Sequence, residues 1–267
     1  MVDLNFERRG RGAVGDSRSL VLIHGIGSRW QMWDPVLDLL AGGNDVIALD
    51  LPGFGNSPPL PPGVEPGPRG LAEAVAGFLG GLGVERPHVV GNSLGGWVGL
   101  ELARLDRVSS VTAVSPAGFA SRAESVWSRS NLIAIHRVAR LLRPAADGLA
   151  KRGWFRRLAY WLLVAHPQNV PVEDVAGSIR ALADSADFRP TLRATTDRSV
   201  RHGRSLGVPV TIAWGQKDRL LLPRQAQRAA AELPGARLVK LPGCGHIPTY
   251  DDPELVARVI LEGMTER

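Results

Sequence analysis

The sequence predicts an α/β domain built on a mostly parallel sheet with helices on both faces. Short apolar runs rich in β-branched residues alternate with longer helix-forming stretches, the mark of strand–helix units feeding a parallel sheet. The residues with chemical promise each follow one of those runs, where open parallel sheets place their sites. Between Val114 and Val208 the rhythm stops, and about ninety residues rich in Arg, Trp, Leu and Ala read as a helical insertion.

Taken in chain order, the strand candidates are Leu20–Ile23, Val46–Leu49, His88–Val90, Val111–Val114, Val208–Ile212 and Arg237–Leu241, several bounded by Gly or Pro. Pro58 to Gly70 is crowded with Pro and Gly and reads as a surface loop. Inside the insertion, the spacing of Leu132, Ile135, Val138, Ala139 and Leu142 predicts a helix ending before Pro144. Another is expected from Trp154 to Val164, stopping before Pro167, and a helical pair between Val172 and Ala186. Residues 1–116 and 205–267 then form the core, and Ala117 to Arg204 an inserted lid.

A chain of 267 residues with 44% hydrophobic content suits one large domain. Met1 to Gly12 is charged and lacks the apolar segment of a secretory signal. The run Leu158–Ala165 falls far short of the roughly 20 residues a membrane span needs. Cys244 is the only cysteine, which excludes an internal disulfide and a thiolate zinc site and suits a reducing cytoplasm. The net charge of +6 rests almost wholly on Arg. No basic run is interleaved with stacking aromatics in a nucleic-acid module, so no nucleic-acid partner is expected.

The strongest local signal is Val89-Val-Gly-Asn-Ser-Leu-Gly-Gly96, a strand followed by Gly-x-Ser-x-Gly and then a helix through Arg104. A serine on a sharp strand-to-helix turn holds a strained backbone, so its neighbours two residues away must be small, as Gly91 and Gly95 are. The turn lifts the Ser93 hydroxyl clear of the sheet. That hydroxyl is a weak nucleophile and needs a base, and histidine titrates near operating pH. His246, in a Gly-rich loop after the last strand, is the candidate. Asp218, after the penultimate strand, is the candidate carboxylate that would fix the histidine tautomer. The order Ser, Asp, His along the chain fits. Two backbone N–H groups are needed against the developing oxyanion, and Leu94 and Ile26 would supply them, with Gly25 shaping the loop that carries Ile26. His24 is expected to brace that loop rather than carry protons.

His24-Gly-Ile-Gly27, Asp50-Leu-Pro-Gly-Phe-Gly-Asn-Ser57, Gly91-Asn-Ser-Leu-Gly95, Gly215-Gln-Lys-Asp218 and Gly243-Cys-Gly-His246 together resemble the motif series of the α/β-hydrolase superfamily, in its esterase, C–C hydrolase and lactonase-like branch. The resemblance spans Leu20 to Asp252 in the expected order. It implies an eight-stranded, largely parallel sheet with a helical lid after the sixth strand. It also implies no cofactor and an acyl-enzyme mechanism on a carboxylic ester, thioester or lactone. The serine at the elbow departs from the haloalkane dehalogenase and epoxide hydrolase branches, which carry an aspartate there. Three other activities stay open beside ester hydrolysis: C–C bond hydrolysis of ring-cleavage products, cofactor-free perhydrolase or haloperoxidase chemistry, and ligand binding without turnover.

The insertion adds its own signal. From Ala117 to His166 nine Arg and Lys stand against only Glu124 and Asp147, a local +7 that exceeds the charge of the whole chain. Trp127, Trp154, Phe155, Tyr160 and Trp161 are interleaved with them. Such a lid is suited to covering an acyl pocket with its apolar face while its basic face meets an anionic substrate or a lipid surface. A solvated helix face would carry the same charges.

Overall fold

The structure, a computed structural model, describes residues 2–10, 19–196, 199–200 and 205–265. Met1, Gly12 and Arg267, which bound sequence readings above, lie outside the described residues, as does Arg204 at the expected end of the insertion. Seven strands form one sheet: β1 (Phe6–Arg9), β2 (Ser19–Ile23), β3 (Asp45–Leu49), β4 (His88–Asn92), β5 (Ser110–Val114), β6 (Val210–Gly215) and β7 (Arg237–Leu241). Their order is β1-β3-β2-β4-β5-β6-β7. β1 runs antiparallel to β3, and every other pairing is parallel.

The expected eight strands are therefore seven among the described residues, and the insertion follows the fifth rather than the sixth. Ahead of β1, Asn5 bonds the Asp50–Ser57 loop instead of a strand: its N–H donates to Ser57 Oγ at 2.9 Å and its Nδ2 to Asp50 Oδ2 at 2.7 Å. β1 was not legible beforehand because Phe-Glu-Arg-Arg is a half-buried, charged edge strand without an apolar run. The inner strands β2 to β5 are buried throughout, so they read as the continuous apolar runs typical of parallel sheets.

Period-two alternation divides the strand side chains between two cores. Val21, Ile23, Val89, Val111 and Ile212 pack with α2 (Pro68–Gly81), α3 (Leu94–Arg104) and α9 (Gln225–Glu232). Leu20, Leu22, Val90, Val114 and Ala213 pack with α1 (Asp34–Ala41) and α10 (Pro253–Thr265) on the other face. α2 starts three residues inside the expected Pro58–Gly70 loop, because Pro68 is pre-shaped for the first turn of a helix.

Between β5 and β6 lie α4 (Arg122–Leu142), α5 (Ala146–Ala150), α6 (Gly153–Tyr160), α7 (Val172–Asp184) and α8 (Phe188–Ala194). α4 opens with a reciprocal cap in which Ser121 and Glu124 satisfy each other's backbone N–H groups. Glu124 is buried and accepts from Arg224 Nε at 2.5 Å and from Arg228, pinning the start of α4 to α9. The helix expected over Trp154–Val164 stops at Tyr160. Beyond it, Leu163 O accepts from Ile247 N at 2.8 Å, and the Ala165 and His166 N–H groups donate to Asp251 at 3.1 and 2.7 Å, so tertiary bonds displace the helical ladder. The helical pair expected over Val172–Ala186 is the single helix α7. Among the described residues no helix is long and apolar enough to cross a membrane.

Candidate active site

β4 delivers the chain to Ser93, whose backbone takes φ 57° and ψ −114° before α3 begins. Positive φ is costly for a side chain with a Cβ, and here the surroundings hold it. Ser93 N donates to Val114 O at 3.0 Å, and Ser93 O accepts from Ala117 N at 2.9 Å. A Cβ at Gly91 would fall on the Gly95 carbonyl, and one at Gly95 on the carbonyls of Ile23 and His24. A Cβ at Gly25 would come within 3.1 Å of Ser93 Cβ, so a larger residue there would press on the elbow by a few tenths of an ångström.

Asp218 and His246 meet through His246 Nδ1 and Asp218 Oδ2 at 2.7 Å, with both side chains buried. The other carboxylate oxygen, Oδ1, accepts from the N–H groups of Leu220 at 2.9 Å and Leu221 at 2.8 Å. A carboxylate accepts only, so the proton of the neutral ring sits on Nδ1 and the Nε2 lone pair is left free. Lys217 N donates to Cys244 O at 2.8 Å, joining the acid loop to the histidine loop.

Ser93 and His246 border one cavity of about 410 Å³, lined mainly by apolar residues of the insertion such as Ile135, Leu142, Phe155, Ile179 and Leu182. Ile26 borders the same cavity, and Ile26 and Leu94 together with Ser93 border a second space adjoining it. Neither amide has an acceptor among the described residues. Gly27, at φ 71°, closes the turn that carries Ile26, where a Cβ would strike Leu182.

His24 is a buried brace. Its Nε2 accepts from Leu51 N at 2.9 Å and its Nδ1 donates to Gly25 O at 2.7 Å, an arrangement available only to the neutral ring. Burial pushes its pKa down, against the pull of Asp50. Asp50 spans the same loop, accepting from Trp30 N at 2.7 Å and Asn56 N at 2.9 Å. These bonds explain the Asp50–Ser57 motif as loop scaffolding.

Two positioning residues escaped the sequence reading. Asn92 lies inside the quoted motif, and its Nδ2 donates to His246 O at 2.9 Å and Val114 O at 3.2 Å. Asp251 accepts from Gly245 N at 2.7 Å as well as from Ala165 and His166, so one carboxylate seats the histidine loop against the insertion. Nothing local in sequence marks Asp251, since its partners come from a segment some 85 residues away.

Comparison with known proteins agrees with this architecture. Residues 20–259 match the model of the alpha/beta hydrolase family. An uncharacterized protein of Mycobacterium tuberculosis is 32% identical, with the match covering 92% of this chain and 75% of that protein. Epoxide hydrolase EphH of the same organism is 31% identical over 73% of this chain and 94% of its own. Among solved structures, a thermophilic esterase from Thermogutta terrifontis superimposes with a TM-score of 0.73 and 25% identity, covering 98% of this chain and 92% of that one. The chain belongs to the α/β-hydrolase family, and hydrolysis is the reaction class it shares with its named relatives.

Proposed function

We infer that the protein is a serine hydrolase acting on carboxylic esters, thioesters or lactones through an acyl-enzyme on Ser93. The observation that carries this reading is the tautomer imposed on His246. With Asp218 holding the Nδ1 proton, Nε2 is a free base on the cavity that Ser93 also borders. His246 takes the Ser93 proton as Oγ attacks the carbonyl carbon. The carbonyl π pair moves onto oxygen, opposite the Ile26 and Leu94 amides. Collapse breaks the bond to the alcohol, which leaves with the proton from His246. Water, deprotonated by His246, then attacks the acyl-enzyme, and the acid departs as Oγ regains a proton. No metal or organic cofactor takes part in this cycle. The insertion acts as the lid that walls the site. A cytoplasmic setting is part of the same proposal, because a chain with Cys244 as its one cysteine forms no internal disulfide and suits a reducing compartment.

Labelling with a fluorophosphonate followed by peptide mapping tests it. A single adduct is expected on the peptide carrying Ser93, absent in Ser93→Ala. An adduct elsewhere, or ester turnover surviving in Ser93→Ala, would overturn the assignment.

A further inference from the structure

Ser93 borders two chambers, one almost wholly apolar and one of mixed polarity. The apolar chamber described above has His246 in its wall and no Asp, Glu, Lys or Arg among its described lining residues. The second, of about 490 Å³, shares Ile26, Ser93, Leu132 and Leu220 with the first but does not touch His246. Its polar wall is Arg122, Ser125, Ser128 and Arg129 of α4 facing Thr195 and Thr196, again without an acidic side chain among the described residues.

The two arginines lie two helical turns apart on one face. Neither has an ion-pair partner among the described residues. The one carboxylate of α4, Glu124, is engaged with Arg224 and Arg228. Of the nine basic residues that crowd this part of the sequence, only these two reach a chamber bordered by Ser93. Positive charge in a concave site with no acidic side chain among its described lining residues concentrates anions.

Proton delivery decides which end of the substrate enters which chamber. His246 must hand its proton to the departing alcohol oxygen, so the alcohol lies on the histidine side, in the apolar chamber. The remaining substituent of the tetrahedral carbon, the acyl chain, is turned toward the arginines. We propose that Arg122 and Arg129 bind an anionic group on the acyl portion, so that the preferred substrates are half-esters of dicarboxylic acids with apolar alcohols. This proposal rests on Ser93 being the nucleophile.

Four esters in two matched pairs test it. Monophenyl adipate is compared with phenyl adipamate, which replaces only the distal carboxylate by its neutral amide. 3-(Carboxymethyl)phenyl hexanoate is compared with 3-(carbamoylmethyl)phenyl hexanoate, which moves the same change to the alcohol. Exposed ion pairs are individually modest, so two arginines are expected to favour the adipate over the adipamate by about fivefold in kcat/KM at low salt. The ratio should fall toward one with added salt and in the Arg122→Gln/Arg129→Gln double variant. It should survive in Arg137→Gln, an exposed residue of the same helix outside both chambers. The alcohol-side pair should show no such preference. A wild-type adipate ratio of one or less overturns the assignment, as does a ratio that persists in the double variant or a larger preference in the alcohol-side pair. Fluorophosphonate labelling of the same preparation separates the two readings: labelled Ser93 without charge preference removes only the chamber assignment, whereas an unlabelled Ser93 removes both.

Discussion

Asn92 Nδ2 donates to the carbonyl oxygen of His246 at 2.9 Å, tying the residue before the elbow serine to the backbone of the histidine 154 positions later. The same amide group holds Val114 O at 3.2 Å, so strand β5, the elbow and the histidine loop meet at one side chain. Asn92→Leu keeps the size but leaves both carbonyls unpaired and frees the His246 loop to shift. Turnover is expected to drop roughly 10- to 100-fold with little change in KM, since small displacements of a catalytic group cost about that much. Stability should fall by about 1–3 kcal/mol for the buried groups left without partners. Steady-state kinetics with a chemical denaturation curve checks both, and a kcat within twofold of wild type would dismiss Asn92 as a positioning residue.

The strained backbone at Ser93 predicts an ordering between two inactive variants. Ser93→Ala keeps the Cβ at φ 57° and therefore keeps the strain, whereas Ser93→Gly releases it. Relief of about 1–3 kcal/mol, less about 0.5–1 kcal/mol for the extra freedom of glycine when unfolded, leaves roughly 1 kcal/mol in favour of Gly. For a chain of this size Ser93→Gly should melt about 2–4 °C above Ser93→Ala. Both should lose turnover by roughly a millionfold. Calorimetry that finds Ser93→Ala the more stable of the two would contradict the strain argument.

Asp218→Asn tests the tautomer. Asn Oδ1 can still accept from Leu220 and Leu221, which turns its NH₂ toward His246 Nδ1 and forces that nitrogen to accept. The ring proton then moves to Nε2, where the base should be. A loss of roughly 10³–10⁴ in kcat is expected, with the fold retained. Should kcat stay near normal, the orienting carboxylate lies elsewhere.

A pH effect on stability follows from His88, the buried first residue of β4, whose ring nitrogens meet Ser110 Oγ at 2.6 Å and Thr112 Oγ1 at 3.0 Å on β5. Burial pushes its pKa down to about 3. The folded ring stays neutral where an unfolded histidine, with a pKa of about 6.5, takes up a proton. His88 therefore costs no stability above about pH 6.5 and progressively more as pH falls toward about 3. Over pH 6 to 4 the slope of unfolding free energy should be shallower by about 1.4 kcal/mol per pH unit in His88→Gln than in wild type. Equal slopes in urea titrations at several pH values would count against a neutral buried His88.

What could be read from sequence was what local sterics and periodicity dictate. The inner strands declared themselves as apolar runs because both of their faces are buried, and Gly91 and Gly95 marked the elbow because neighbouring backbone leaves no room for a Cβ. His246 and Asp218 were legible because each follows a strand whose carboxyl end faces the site. The charged edge strand β1 was not, since an edge has no need of an apolar run. The end of α6 at Tyr160 was hidden for a different reason: the bonds that replace its last turn come from Ile247 and Asp251, far along the chain. The nine basic residues of the insertion looked alike in sequence, and only tertiary packing sorted them. It placed Arg122 and Arg129 on the wall of a chamber that Ser93 also borders, paired Arg143 with Asp184, and left Arg137 outside both chambers, because a helix's own period says which residues share a face but not what that face will meet.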